Sequence, residues 1–265
     1  MNVLVIGDIF GKGGRKVLRH VLPRVVDRES VDLTIANVEN ASRGLGVSRE
    51  AALELKNAGV QVMTSGNHVW KRPGAAELLE EEPFLVRPAN YPPNVPGRGS
   101  VVWESNLGVR VGILNLMGRV FMEPLDCPFR TGEEYIDRLV EEGADLIILD
   151  FHAEATSEKL ALAWHLDGKV SAIVGTHTHV QTADERILPQ GTGYITDVGM
   201  TGGQDSVIGV KPRPAIDSFL TGVHQKLEPS LKNLALKGVL MKISEKSGRC
   251  ESIRRISEVL DRTET

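Results

Sequence analysis

The sequence predicts an α/β protein with two sheets, in which βαβ units are joined to antiparallel hairpins. Three observations carry this. Short apolar runs alternate with helical periodicity through the first eighty or so residues. The alternation resumes beyond residue 130, and hairpin patterns lie between the two stretches and at the end of the chain.

Taken in order, "NVLVIG" (2–7) reads as a buried strand and 14–28 as a helix with apolar Val17, Leu18, Val21, Leu22 and Val25. "DLTIANV" (32–38) is the next strand. "SREAALELKNAG" (48–59) is a helix capped by Ser48 and ended by Gly59. "VQVMTSG" (60–66) is a third strand, followed by a helix over about 74–82. Five prolines in 83–100 break the pattern into a long surface loop or flap. "VVWES", "NLG" and "VRVGILNL" then form a hairpin. A second α/β stretch follows: helix 132–142, strand "DLIILDF" (145–151), helix 156–166 and strand "VSAIVG" (170–175). Residues 196–214 read as a Gly-rich loop, and "LKGVLMKIS", "EKSG" and "CESIRRIS" as a closing hairpin. No repeat or linker interrupts the chain, so one domain over 1–265 is expected.

Composition limits the function classes. A net charge of −4 gives no basic footprint for duplex nucleic acid, and 5% aromatics offer little stacking surface for single strands. Cys127 and Cys250 lie far apart without a CxxC, which suits free thiols in a reducing compartment. No apolar run reaches the length of a membrane span and the first residues already read as a strand, so the expected location is cytoplasmic. The sequence leaves a homo-oligomer open.

The stretch "GDIFGKGG" (7–14) resembles a phosphate cradle, yet its spacing matches neither common template. A P-loop needs Ser or Thr after Lys12, where Gly13 stands, and the dinucleotide fingerprint meets Lys16 where its third glycine belongs. What remains is a carboxylate, Asp8, at a strand exit, followed by a turn. The same position recurs along the chain. Predicted strands run into Glu39-Asn40, Asn67-His68, His152, and the "THTH" that holds His177 and His179. Ligands in α/β sheets bind beyond the carboxyl ends of strands, so these donors can meet in space as a metal site. One carboxylate could bridge two cations. His177 and His179, two apart on an extended segment, would share a side and address different ions.

Elsewhere, His20, His165 and His224 fall in predicted helices and suit surface or packing roles. Asp150 and Glu154 flank His152 and suit orientation of an imidazole, with a solvated helix start the alternative for Glu154. Lys211 and Arg213 suit plain surface charge, with contact to a phosphate the alternative.

The motifs "GD" (7–8), "EN" (39–40), "GNH" (66–68), "FH" (151–152) and "GTHTH" (175–179) resemble those of the calcineurin-like metallophosphoesterases. More narrowly, "ANVENASRG", "TSGNHVW", "DFHAEATSEK" and "DVGMTGG" are similar to the YmdB-like branch of bacterial phosphodiesterases, over about 1–260. Two departures from the wider superfamily belong to that branch. Phe10 stands where D-x-H would place a histidine, and Glu39 stands for the bridging Asp. The amide of Asn40 takes the lost imidazole's place.

The resemblance implies an αββα sandwich and two transition-metal ions, iron or manganese before zinc. It implies one metal on Asp8, Glu39, Asn40 and His179, and a second on Glu39, Asn67, His152 and His177. His68 would not bind metal. It would protonate the leaving alkoxide while a metal-bridging hydroxide attacks phosphorus. The implied partner is a small phosphodiester, notably a 2′,3′-cyclic nucleotide. A phosphomonoesterase or nuclease on the same site, or a non-enzymatic metal-binding regulator, are the alternatives.

Overall fold

A computed structural model describes residues 1–106 and 108–261. Two sheets face each other. In the first half of the chain, β1 (Asn2–Ile6), β2 (Asp8–Ile9), α1 (Gly11–Glu29), β3 (Leu33–Asn37), α2 (Arg49–Asn57), β4 (Val62–Thr64) and α3 (Ala75–Glu81) follow in order. The predicted hairpin is β5 (Ser100–Glu104) and β6 (Arg110–Met117). Then come α4 (Pro128–Glu141), β7 (Leu146–His152), α5 (Thr156–His165) and β8 (Ala172–Thr176). The remainder holds β9 (Arg186–Ile187), β10 (Gly193–Ile195), β11 (Met200–Gly203), α6 (Pro212–Thr221), β12 (Leu234–Ile243) and β13 (Cys250–Val259).

The first sheet runs β2-β11-β12-β1-β3-β4, with β13 paired to β12; the second runs β5-β6-β7-β8-β10-β9. Strands β1, β3 and β4 are parallel, as are β6, β7, β8 and β10. Side chains on a strand alternate faces, and here the alternation divides the core into layers. Val3, Val5, Ile35 and Val239 of the first sheet meet Ile113, Ile148 and Val174 of the second in one central cluster. Leu4, Ile6 and Ala36 point the other way, onto Val17, Leu18, Val21 and Leu22 of α1 and Leu55 of α2. On the far face, Leu149, Phe151 and Ile173 pack on Ile136 of α4 and Leu162 of α5. The result is the expected αββα sandwich.

Four expectations need correction. Within the expected surface loop, Leu85, Val86 and Ala89 are buried, because the chain there bridges to Met63 and Arg98. Helix α1 begins at Gly11 and α4 at Pro128, both earlier than read; in α4, Pro128 takes the first helical position, where no N–H is required. The stretch 196–214 is not one loop: it contains β11 and the start of α6. Its Gly-rich strand is held by pairing with β2 and β12, a tertiary contact that composition does not reveal. His224 lies beyond α6, which ends at Thr221 with Gly222 in the left-handed C-cap conformation. Among the described residues no helix is long and apolar enough to cross a membrane.

Candidate metal centre

Parallel strands that share a direction deliver their carboxyl ends to one edge. β1 leads into Asp8, β3 into Glu39 and Asn40, β4 into Asn67 and His68, β7 ends on His152, and β8 leads into His177 and His179. The sheets thus bring all eight predicted site residues together. Asp8, Glu39, Asn40 and His152 are buried, while the side chains of His68 and His177 retain 29% and 21% exposure, marking the open side.

One group of donors turns lone pairs toward one another. The Thr176 hydroxyl donates to Asp150 (2.7 Å) and so accepts from His152 Nδ1–H (2.9 Å), which leaves His152 Nε2 unprotonated. That nitrogen lies 3.0 Å from Asn67 Oδ1, 3.0 Å from His177 Nδ1 and 3.3 Å from Glu39 Oε2. His177 spends its other nitrogen on Glu154 Oε2, 3.1 Å away. Ligand atoms of Glu39, His152 and His177 all lie within 4.8 Å of one another. Four acceptors facing inward repel unless a cation lies among them, and the mixed N/O set suits a transition metal.

The adjoining group is less closed. Asp8 Oδ1 is buried with no hydrogen-bond partner, its nearest imidazole being His179 Nε2 at 3.7 Å. His179 donates Nδ1–H to Ile208 O (2.8 Å), so its Nε2 is an unprotonated acceptor. Asn40 presents its amide nitrogen to Glu39 Oε1 (3.0 Å) and His179 Nε2 (3.1 Å), and its oxygen accepts from His68 Nδ1 (2.8 Å). His68 also donates its backbone N–H to Glu39 Oε2 at 3.0 Å.

The electrostatics differ along the cluster. Burial opposes ionisation of Glu39, but the imidazoles of His152 and His68 reverse this and hold it at about 2. Asp8 goes the other way: burial, then the charges of Glu39 and Asp197, push it well above the usual carboxylate range. Burial lowers His152 to about 3 and lowers His179, so both rings are neutral donors. An orphaned buried carboxylate oxygen beside neutral imidazoles fits a metal ion.

The segment after β8 is not extended, contrary to expectation. His177 and His179 adopt φ of 99° and 67°, a region that residues with a Cβ rarely occupy. Several bonds impose it. His177 N donates to Asp8 Oδ2 (3.2 Å), and Thr178 donates from N (3.1 Å) and Oγ1 (2.8 Å) to Asp197 Oδ2. Lys159 Nζ binds both Thr176 O (2.8 Å) and Asp197 Oδ2 (2.9 Å). The strained turn still sends His177 to His152 and His179 toward Asp8. Gly66 makes room for this packing, since a Cβ there would run into the His152 ring and Glu39 Oε2.

Sequence reasoning missed Lys159 and Asp197. One signal was legible: Lys159 sits on the stripe with Leu162, Ala163 and Leu166 that buries α5, where a lysine is out of place unless paired. Asp150 does not touch His152 directly. It accepts from Thr64, Thr176 and Asn37 and acts through the Thr176 hydroxyl; burial raises it to about 6 against those bonds. Glu154 reaches His177 although half its side chain is exposed. Lys211 and Arg213 pair with Glu228 and Asp217 and line a separate groove of about 1110 Å³ that contains none of the donors.

Known proteins resemble this chain in sequence and fold. The model of the family described as YmdB-like protein matches residues 4–256. The 2′,3′-cyclic-nucleotide 2′-phosphodiesterase of Bacillus subtilis is 41% identical over 97% of this chain and 96% of its own. A crystal structure of a hypothetical protein from Thermus thermophilus superposes with TM-score 0.91 at 42% identity, covering 98% of this chain and 99% of that one. A novel phosphatase from Mycoplasma pneumoniae superposes with TM-score 0.91 at 37% identity, covering 98% and 93%. The chain therefore belongs to the YmdB-like family of calcineurin-like metallophosphoesterases.

Proposed function

We propose that this protein is a phosphodiesterase that opens 2′,3′-cyclic nucleotides at a dinuclear centre, working as one domain over 1–265 in the cytoplasm. The observation that carries the reading is the inward-facing set of Asn67 Oδ1, Glu39 Oε2, His152 Nε2 and His177 Nδ1, joined through Glu39 to Asp8, Asn40 and His179. The substrate class is taken from the Bacillus subtilis relative. Iron or manganese suits the donors best, then zinc.

Metal bound by these residues supplies Lewis acidity that activates water and offsets charge on the phosphoryl oxygens. The chain's own groups do the rest. Glu39, ionised and shared, keeps the two donor groups at fixed separation. Neutral His152 and His179 hold their tautomers through Thr176 and Ile208. His68 is positioned by Asn40 and Glu39 and is more exposed than they are. With Nδ1–H committed to Asn40, it passes a proton from Nε2 to the departing ribose oxygen.

Elemental analysis of metal-replete protein, paired with a substrate panel, tests this. Close to two ions per chain are expected, with adenosine 2′,3′-cyclic phosphate and bis(p-nitrophenyl) phosphate turned over faster than a phosphomonoester. No more than one ion would remove the dinuclear centre. A preference for the monoester would make the protein a phosphatase, and an inert, fully metallated protein would make it a regulator.

A further inference from the structure

Between β6 and α4 the chain passes the open side of the centre and presents Phe121, which is 90% exposed, the highest among the large apolar residues described. It lines a cavity of about 370 Å³ together with Asn67 and His177, two of the candidate ligands, and with Met122 and Glu123. That volume lies in the range of roughly 300–1,000 Å³ typical of small-molecule sites. We infer that Phe121 is a stacking platform for the nucleobase of the substrate whose phosphate occupies the adjoining donor cluster; this rests on the nucleotide phosphodiesterase reading above.

The placement of Phe121 is enforced. Its φ of 61° is a left-handed conformation that an aromatic residue seldom adopts. The chain before it is pinned by buried Glu158, whose carboxylate accepts from Arg119 N (3.0 Å) and Val120 N (3.2 Å), and by Gly118 N donating to His152 O (2.9 Å). The chain after it is pinned by Asp126 N donating to Asn90 O (3.1 Å). The same bond to His152 ties this segment to the ligand-bearing strand. Holding an aromatic ring outward in water gains nothing for folding, but a backbone fixed in advance loses little freedom when the ring stacks. The occupant is a base and not a further phosphate, because Glu123 adds negative charge to the same wall. A neutral heteroaromatic ring suits a surface of Phe121 and Met122.

The test compares wild-type, Phe121→Ala and Phe121→Trp metal-loaded enzyme on adenosine 2′,3′-cyclic phosphate and on methyl riboside 2′,3′-cyclic phosphate, which lacks a base. Phe121→Ala is expected to raise KM for the adenosine substrate about 5- to 100-fold, the range of a lost base–aromatic stack, with kcat unchanged. It should leave the base-free substrate unaffected, and Phe121→Trp should restore wild-type KM. Equal effects on both substrates, no effect on either, or a change in sedimentation behaviour that marks Phe121 as a contact between copies would each overturn the platform. If wild-type enzyme opened neither cyclic phosphate, the activity reading would fall instead. Quenching of Phe121→Trp fluorescence by adenosine 3′-monophosphate but not by ribose 3-phosphate would still support the platform, and no quenching by the adenosine nucleotide would sink it.

Discussion

The two halves of the candidate centre are held in different ways. Around His152 and His177 each imidazole has its tautomer fixed by a side chain: Thr176 behind His152 and Glu154 behind His177. Around Asp8 and His179 the supports are looser. His179 depends on a backbone carbonyl, Ile208, from the segment between β11 and α6, and Asp8 keeps an unpartnered oxygen. The first half is fastened by Thr176 of β8 and by Glu154 just beyond β7; the second needs the segment between β11 and α6 to close behind His179. His152 lies on β7 and is positioned by the sheet, whereas His179 lies on a connection and is positioned by what packs over it. Glu39 is the group the halves share.

The largest expected effect breaks both halves at once. Glu39→Gln should abolish activity and lower occupancy of both sites together by elemental analysis, whereas His179→Ala should lose one ion and keep the one at His152. Loss of both ions in His179→Ala would show that the halves are not separable.

His68→Ala sits next in magnitude and should spare both halves. The expected outcome is retained metal with kcat lowered roughly 10²- to 10⁴-fold, the range for a lost general acid, and a smaller loss on p-nitrophenyl esters that need little protonation. Equal slowing of good and poor leaving groups would reassign His68 to phosphate positioning.

Lys159→Met probes the support that the halves have in common. Lys159 and Asp197 are 1% and 0% exposed, and removing the lysine leaves a buried carboxylate without its counter-charge, at a cost of about 3–5 kcal/mol in urea unfolding. A loss under 1 kcal/mol would mean that water or a shifted backbone replaces the pair. Gly175→Ala presses on the same turn, since a Cβ there would run into Thr196 O; overpacking of this kind costs about 1–3 kcal/mol.

The smallest effect belongs on the surface. Phe219 of α6 is 85% exposed, and Phe219→Ser should change stability by no more than about 0.5 kcal/mol. A larger destabilisation, with a protein-concentration dependence that wild type shows and the variant lacks, would identify α6 as a contact in a homo-oligomer.

The layered fold could be read directly from residue periodicity. Val3 and Val5 face one way and Leu4 and Ile6 the other, and the helices show apolar stripes such as Val17, Leu18, Val21 and Leu22. The convergence of the candidate site residues was legible for a related reason. Each stands at the end of a run whose strand character is local, and parallel strands must bring such ends together.

Other features depended on contacts between distant segments. β11 gained strand structure only from β2 and β12, so its glycines read as a loop. The bend at His177 and His179 follows from Asp8, Lys159 and Asp197, which are distant in sequence, and local propensity disfavours it. The amino-acid sequence by itself determined the layers and the donors, because side-chain period and strand ends are local properties. Only the tertiary structure decided each donor's tautomer, the left-handed turn and the outward pose of Phe121, because these come from buried polar bonds between segments far apart in the chain.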